Sequence, residues 1–270
     1  MKSTIKNTLT VIWLIKGLLH TQAWGSADLT NADDIAKQAN IASYYAGKDG
    51  RAEARMTIID SQKREQIRQF TILRRTQDTG GKQDMLVFFS RPSDVKNTVF
   101  RVTRQPGSND NRWLYLPSLD LVKRISAGDQ RTSFVGSDFF YEDVSGRDPT
   151  VDTHKILETT KESYVLKSVP KNHGTVEFSY YTSWIDKETL LPTKVEYADS
   201  RGKIYRRMVV QEVKVIQKHP TVLRATISNL ESNSSTQMQI RGISYDLGLP
   251  ISIFSERSLR TPPTKWLRGK

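Results

Sequence analysis

From Gly50 onward the chain keeps returning to one pattern: a short run of alternating apolar and polar residues, then a short polar turn. Ala54, Met56 and Ile58 alternate with Arg55 and Thr57, Val176, Phe178 and Tyr180 with Glu177 and Ser179, and Val195 and Tyr197 with Lys194 and Glu196. Val213 and Val215 flank Lys214, and Met238 and Ile240 separate Gln237, Gln239 and Arg241. A period of two places each apolar set on one face of a β-strand. Met85-Leu86-Val87-Phe88-Phe89 is continuously apolar and reads as a strand buried on both faces. Asp186-Lys187-Glu188-Thr189, Asp199-Ser200-Arg201-Gly202 and Glu231-Ser232-Asn233-Ser234-Ser235 separate successive runs. Spacers this short make hairpins, and hairpins make antiparallel sheet. A barrel, half-barrel or sandwich in a single domain is therefore expected, with no fixed-period repeat or low-complexity linker to divide it.

One helical pattern precedes the strands. Thr30 or Asn31 is placed to cap it, Asp33 and Asp34 sit where the helix dipole favours acids, and Ile35, Ala39, Ala42 and Tyr45 recur along one face. Gly47 and Asp49-Gly50 stop it. Before it, Lys2 and Lys6 open a segment with an apolar stretch through Leu9, Val11, Ile12, Trp13, Leu14 and Ile15. Gly17, Leu18 and Leu19 extend that stretch past Lys16, and Ala23-Trp24-Gly25 offers small residues at signal-peptidase spacing. The stretch falls short of the roughly 20 apolar residues of a membrane-spanning helix. The expected organisation is a cleaved secretory signal over 1-25 and one exported domain over 26-270. Cysteine is absent, which excludes disulfides, thiol catalysis and zinc–thiolate sites. The formal net charge of +12 suits anionic partners such as lipid head groups, and no basic tail is present.

The densest local signal lies between Trp113 and Asp143. Trp113-Leu114-Tyr115-Leu116-Pro117 and Lys123-Arg124-Ile125 lead to Ser133-Phe134-Val135-Gly136-Ser137-Asp138-Phe139-Phe140-Tyr141-Glu142-Asp143. Ser137 is placed to cap a short helix over 138–144, with Gly136 allowing a tight turn before it. Catalytic signals are poor. His20, His154, His173 and His219 have no metal-ligand spacing, and Ser137 lacks the second glycine of a nucleophile elbow. Asp138, Glu142 and Asp143 are open to two readings. They share an ion or serve acid/base chemistry, or they cap the helix and pair with Arg124 or Arg131. Trp113 and Tyr115 beside Arg112 suit either base stacking or a strand face turned toward an apolar cavity; export disfavours nucleic acid.

These central motifs, with Leu191-Pro192, Val195-Glu196-Tyr197, Asp199 and Gly202-Lys203 following, resemble the outer-membrane lipoprotein-sorting protein superfamily in its LolA-like branch of periplasmic carriers. The likeness spans roughly residues 30 to 260. It implies a mainly β fold in which a strongly curved antiparallel sheet forms an open, incomplete barrel around an apolar cavity, with a few covering α-helices. It also implies carriage of lipid or lipoprotein acyl chains between membranes in the periplasm, work beside an inner-membrane exporter of the resistance-nodulation-division type, and peripheral membrane contact. No enzyme activity, metal or cofactor is expected. Trp113, Tyr115, Phe134, Phe139 and Phe140 are the candidate cavity or lid residues, and Arg124, Ser137, Asp138, Glu142 and Asp143 the candidate polar lid network. The alternatives are a non-transporting accessory subunit of such an exporter and a hydrolase using the acidic cluster.

Overall fold

A computed structural model describes residues 28–268; the signal expected over 1-25 lies outside the described residues. Helix α1 (Ala32–Tyr44) begins where the sequence places it. The Asn31 side chain accepts from the Asp33 and Asp34 N–H groups at 2.8 and 3.0 Å, satisfying two donors that the first turn leaves free.

Thirteen strands follow, and each pairs antiparallel with its neighbours. The first six are β1 (Asp49–Ile59), β2 (Glu65–Thr76), β3 (Gln83–Arg91), β4 (Val99–Arg104), β5 (Asn111–Leu116) and β6 (Leu121–Ile125). The remaining seven are β7 (Asp152–Thr159), β8 (Ser163–Pro170), β9 (Tyr180–Asp186), β10 (Pro192–Ala198), β11 (Ile204–Ile216), β12 (His219–Asn229) and β13 (Ser234–Tyr245). Their order in the sheet is β6-β5-β4-β3-β2-β1-β13-β12-β11-β10-β9-β8-β7. Two meanders, β1–β6 and β7–β13, are thus joined where the first strand pairs with the last, Ala54 opposite Ile240 and Met56 opposite Met238. The two free edges, β6 and β7, are consecutive in the chain. The residues between them, 126–151, must therefore run from one edge of the open, curved barrel to the other.

Strand alternation divides the apolar residues between two layers. On the concave side Phe70, Met85, Val87, Phe89, Phe100, Val102 and Leu114 form one core with Phe134, Phe139 and Tyr141 of the crossing segment. On the convex side Leu73, Leu86 and Val99 pack under the C-terminal segment, with Leu249, Ile253, Phe254 and Leu259. That segment holds two short helices, α3 (Arg257–Arg260) and α4 (Thr264–Leu267), and guanidiniums pin it to the sheet: Arg75 donates to the Leu249 carbonyl and Arg101 to that of Phe254. The continuous apolar run of β3 follows from this arrangement, since both of its faces are covered.

Two expectations change. Residues 176–179 are not strand; β9 begins at Tyr180. Phe178 instead turns inward, 5.6 Å from the Tyr181 ring and 5.3 Å from that of Tyr197. Glu177 is drawn to Arg131 at 2.6 Å. Tertiary contacts here override a local alternation. The short helix of the crossing segment, α2, spans Tyr141–Ser145 and not 138–144. Ser137 does not cap it: its hydroxyl donates to the Phe134 carbonyl at 2.7 Å, closing a tight loop through Val135 (φ 50°) and Gly136 (φ 80°). The cap comes from Asp143, whose carboxylate accepts from the Phe140 N–H at 2.5 Å.

Phe134 is fully buried, with its ring 5.4 to 6.3 Å from those of Phe70, Phe89, Phe100 and Tyr141. Phe134→Ala should cost about 3–5 kcal/mol, the range for a large buried aromatic, read as a lowered midpoint in urea unfolding.

Candidate functional site

The two halves of the concave face are filled differently. Over β4–β6 and the far end of β3 the aromatic cluster around Phe134 fills it. Over β8–β13 it is roofed by α1, whose Ile35, Ala36 and Ala39 pack on Tyr164, Leu166 and Ile185 at one side, while the short side chains of Ala36, Ala39 and Ala42 line the space beyond. A cavity of about 450 Å³ remains, within the roughly 300–1,000 Å³ of ordinary ligand pockets. Its floor is a row of cross-strand neighbours: Leu166 opposite Ser183, Ser183 opposite Val195, Val195 opposite Met208, and Met208 opposite Ile227. Phe139 and Val144 of the crossing segment close one side, and Ile240 and Ile243 of β13 another. The lining is mostly aliphatic.

Ionic contacts hold the crossing segment over the cavity. Buried Glu142 accepts from Arg131 at 2.5 Å and from Arg147 at 2.9 Å. Arg147 continues to Asp152 on β7 at 2.7 Å, and Arg131 to Glu177 at 2.6 Å. Asp143 accepts from Arg206 of β11 at 2.5 Å, so α2 is tied to the far meander. Aromatic faces complete the cages. Arg131 lies 5.0, 4.7 and 5.4 Å from the centroids of Phe140, Phe178 and Tyr197, and Arg206 lies 4.2 Å from that of Phe140. Burial by itself would ease the proton off these guanidiniums. The carboxylates of Glu177 and Glu142 reverse that for Arg131, those of Asp152 and Glu142 for Arg147, and that of Asp143 for Arg206, so all three are held above the usual arginine range. Burial pushes the Tyr141 hydroxyl up to about 12. Burial would also raise the Glu177 carboxyl, but its hydrogen bonds from Arg131 outweigh this and hold it below the ordinary value.

The sequence candidates fall into separate places. Phe139 and Asp143 line the cavity, and Phe140 forms part of the arginine cages behind it. Phe134 lies in the solid half. Trp113 and Tyr115 point away from the cavity: on β5 it is Leu114 that faces inward, while the two aromatics pack on the convex side beneath the C-terminal segment. Arg124 belongs to no lid network. It lies over the Trp113 ring and donates to Asn111 at 3.3 Å. The three acids diverge instead of sharing an ion. Asp138 accepts from the Ser234 and Thr236 hydroxyls, Glu142 from two arginines, and Asp143 from Arg206 and Phe140. His154, which has no metal-ligand spacing in the sequence, lines the cavity, its ring nitrogens 2.7 Å from the Ser168 hydroxyl and 2.8 Å from the Pro149 carbonyl. Sequence reasoning missed Arg74, Leu166, Tyr181, Arg206 and Met208. The alternation through Val195, Tyr197 and Ile240 marked the inward face of the second meander, but no motif set it apart.

An open antiparallel half-barrel with a helix over an aliphatic cavity defines a LolA-like carrier fold. A family model described as an uncharacterized-protein-like family matches residues 81–261. A DUF1329 family protein from Desulfovibrio piger is similar at 25% identity and TM-score 0.76, covering 84% of this chain and 97% of its own. A domain from Vibrio parahaemolyticus described as an outer membrane lipoprotein-sorting protein is similar at 25% identity and TM-score 0.77, over 85% of this chain and 98% of its own. A LolA superfamily protein from Nitrosomonas europaea, at 14% identity and TM-score 0.63 over 84% and 99%, shares the fold. No curated protein matches. The chain belongs to the outer-membrane lipoprotein-sorting protein superfamily, in its LolA-like branch.

Glu142→Gln removes the charge that two buried guanidiniums share. It should destabilise the protein by about 3 kcal/mol, with amides of residues 130–145 losing hydrogen-exchange protection first. The depressed Glu177 carboxyl makes a contribution that is complete above its unfolded value, about 4.3, and is lost as pH falls through the lower folded value. Denaturant melts of wild type and Glu177→Gln should therefore differ at pH 7 and converge toward pH 3.

Proposed function

We propose that this protein is exported to the periplasm by a cleaved signal and carries lipid or lipoprotein acyl chains between membranes in its half-barrel cavity. The observation that carries this reading is the mostly aliphatic hollow beneath α1, lined from β8–β13 and from the adjoining residues of β1–β3. An acyl chain in water costs about 0.8 kcal/mol per exposed methylene, and a pre-formed apolar lining recovers much of that without any bond being broken. Asp138, Glu142 and Asp143 are engaged with hydroxyls, guanidiniums and a backbone N–H, and the proposal gives them a positioning role and no covalent one. Cargo enters or leaves past the edge of α1, alongside an inner-membrane exporter as donor or acceptor.

Ala225 lines the cavity. A delipidated sample should take up an acylated peptide or a phospholipid, as measured by native mass spectrometry. Ala225→Phe should reduce that uptake by about tenfold or more while leaving the melting temperature within a few degrees. Failure of the wild-type protein to bind either probe would sink the carrier reading, and co-purification with an exporter but without extractable lipid would favour the accessory-subunit alternative.

A further inference from the structure

Four arginines line the cavity, and three have carboxylates to answer them: Arg51 pairs with Glu53 at 2.6 Å, Arg147 with Glu142 and Asp152, and Arg206 with Asp143. Arg74 does not. Its guanidinium donates to two carbonyls at the C-terminal end of α1, those of Tyr44, the last helical residue, and of Ala46 just beyond it, and among the described residues it has no acid partner. A guanidinium has five N–H donors, so most of its capacity is left over. The neighbouring acids are committed elsewhere. Asp49 accepts from the Leu247, Gly248 and Leu249 N–H groups at 2.7, 3.0 and 3.0 Å, and Asp246 from that of Lys48 at 2.7 Å. Desolvation holds the Arg74 guanidinium below its usual range, the mark of a buried cation short of compensation.

The surroundings are arranged for a polar group. Arg74 on β2 lies opposite Gly50 on β1, and Gly50 opposite Tyr245 on β13. The bare glycine lets the Tyr245 ring settle over the strand, 3.2 Å from where a Cβ would stand, so no side chain separates the guanidinium from the phenol. The Tyr245 hydroxyl is 2.9 Å from that of Thr221, and all four residues line the cavity. The aliphatic row from Leu166 to Ile227 shares the same hollow.

Resting on the carrier reading, we propose that the cavity selects single-chain amphiphiles with an oxyanion head, carboxylate or phosphate, which Arg74 binds beside Tyr245 and Thr221 while the tail lies against β8–β13. The partial negative charge of the α1 carbonyls holds Arg74 in place without cargo, and the head group supplies the full countercharge when cargo is bound.

Isothermal titration of the delipidated protein with dodecanoate, dodecyl phosphate and dodecanol tests this. At least one acid should bind about tenfold or more tighter than the alcohol, and whichever acid leads identifies the head group. Arg74→Gln, which keeps a donor for the Tyr44 carbonyl, should erase the preference. Tyr245→Phe should reduce it should Arg74→Gln not fold. Equal binding of acid and alcohol to wild type overturns the inference while leaving the carrier reading intact, as does a preference that survives in the Arg74→Gln protein. No binding of any of the three probes overturns both.

Discussion

Pairing of β1 with β13 is the contact on which the architecture turns. It fuses two meanders into one sheet and leaves as free edges two strands that follow one another in the chain. The connection between them has no course except across the open side. A curved sheet with a bare concave face would expose its inward residues to water, and an apolar face of that extent is not stable uncovered. The crossing segment and α1 share the task of covering it, and their different side chains decide where the interior is solid and where it is hollow. Phe134 and Tyr141 fill one half. The alanines of α1, packed at one side on Tyr164, Leu166 and Ile185, leave a hollow beside them.

The crossing segment is held by charge as well as by packing. Glu142 and Asp143 are adjacent in sequence, yet they reach opposite sides, Glu142 toward Arg131, Arg147 and the β7 edge, Asp143 toward Arg206 on β11. Buried ion pairs contribute little net stability, because desolvation consumes most of the attraction, but breaking one partner away is costly. Such a network favours one position of the segment over others. It therefore specifies where the cavity wall stands.

Much of this was legible in the sequence. The alternating runs at Ala54–Ile58, Val195–Tyr197 and Met238–Ile240 became strands of an antiparallel sheet, the run at Met85–Phe89 became a strand covered on both faces, and Asn31 caps α1. The motifs from Trp113 to Asp143 pointed to the right superfamily. They were less informative about which residues touch the cavity. Trp113 and Tyr115 alternate correctly, but alternation does not say which face is concave, and here Leu114 holds the inner face. The Val176–Tyr180 alternation was misleading because Phe178 and Glu177 answer to Arg131, a partner 46 residues from Glu177.

What the sequence determined by itself was the sheet, its hairpins, its leading helix and its superfamily, since these rest on periodicity and turn chemistry within short stretches of chain. What only the tertiary structure decided was the location of the hollow and the company of each buried charge. Arg74, Arg147 and Arg206 look alike in sequence. Whether a carboxylate stands beside each is settled by strands and loops brought together from distant parts of the chain, and electrostatic energy depends on that distance in space and on burial, neither of which a local pattern records.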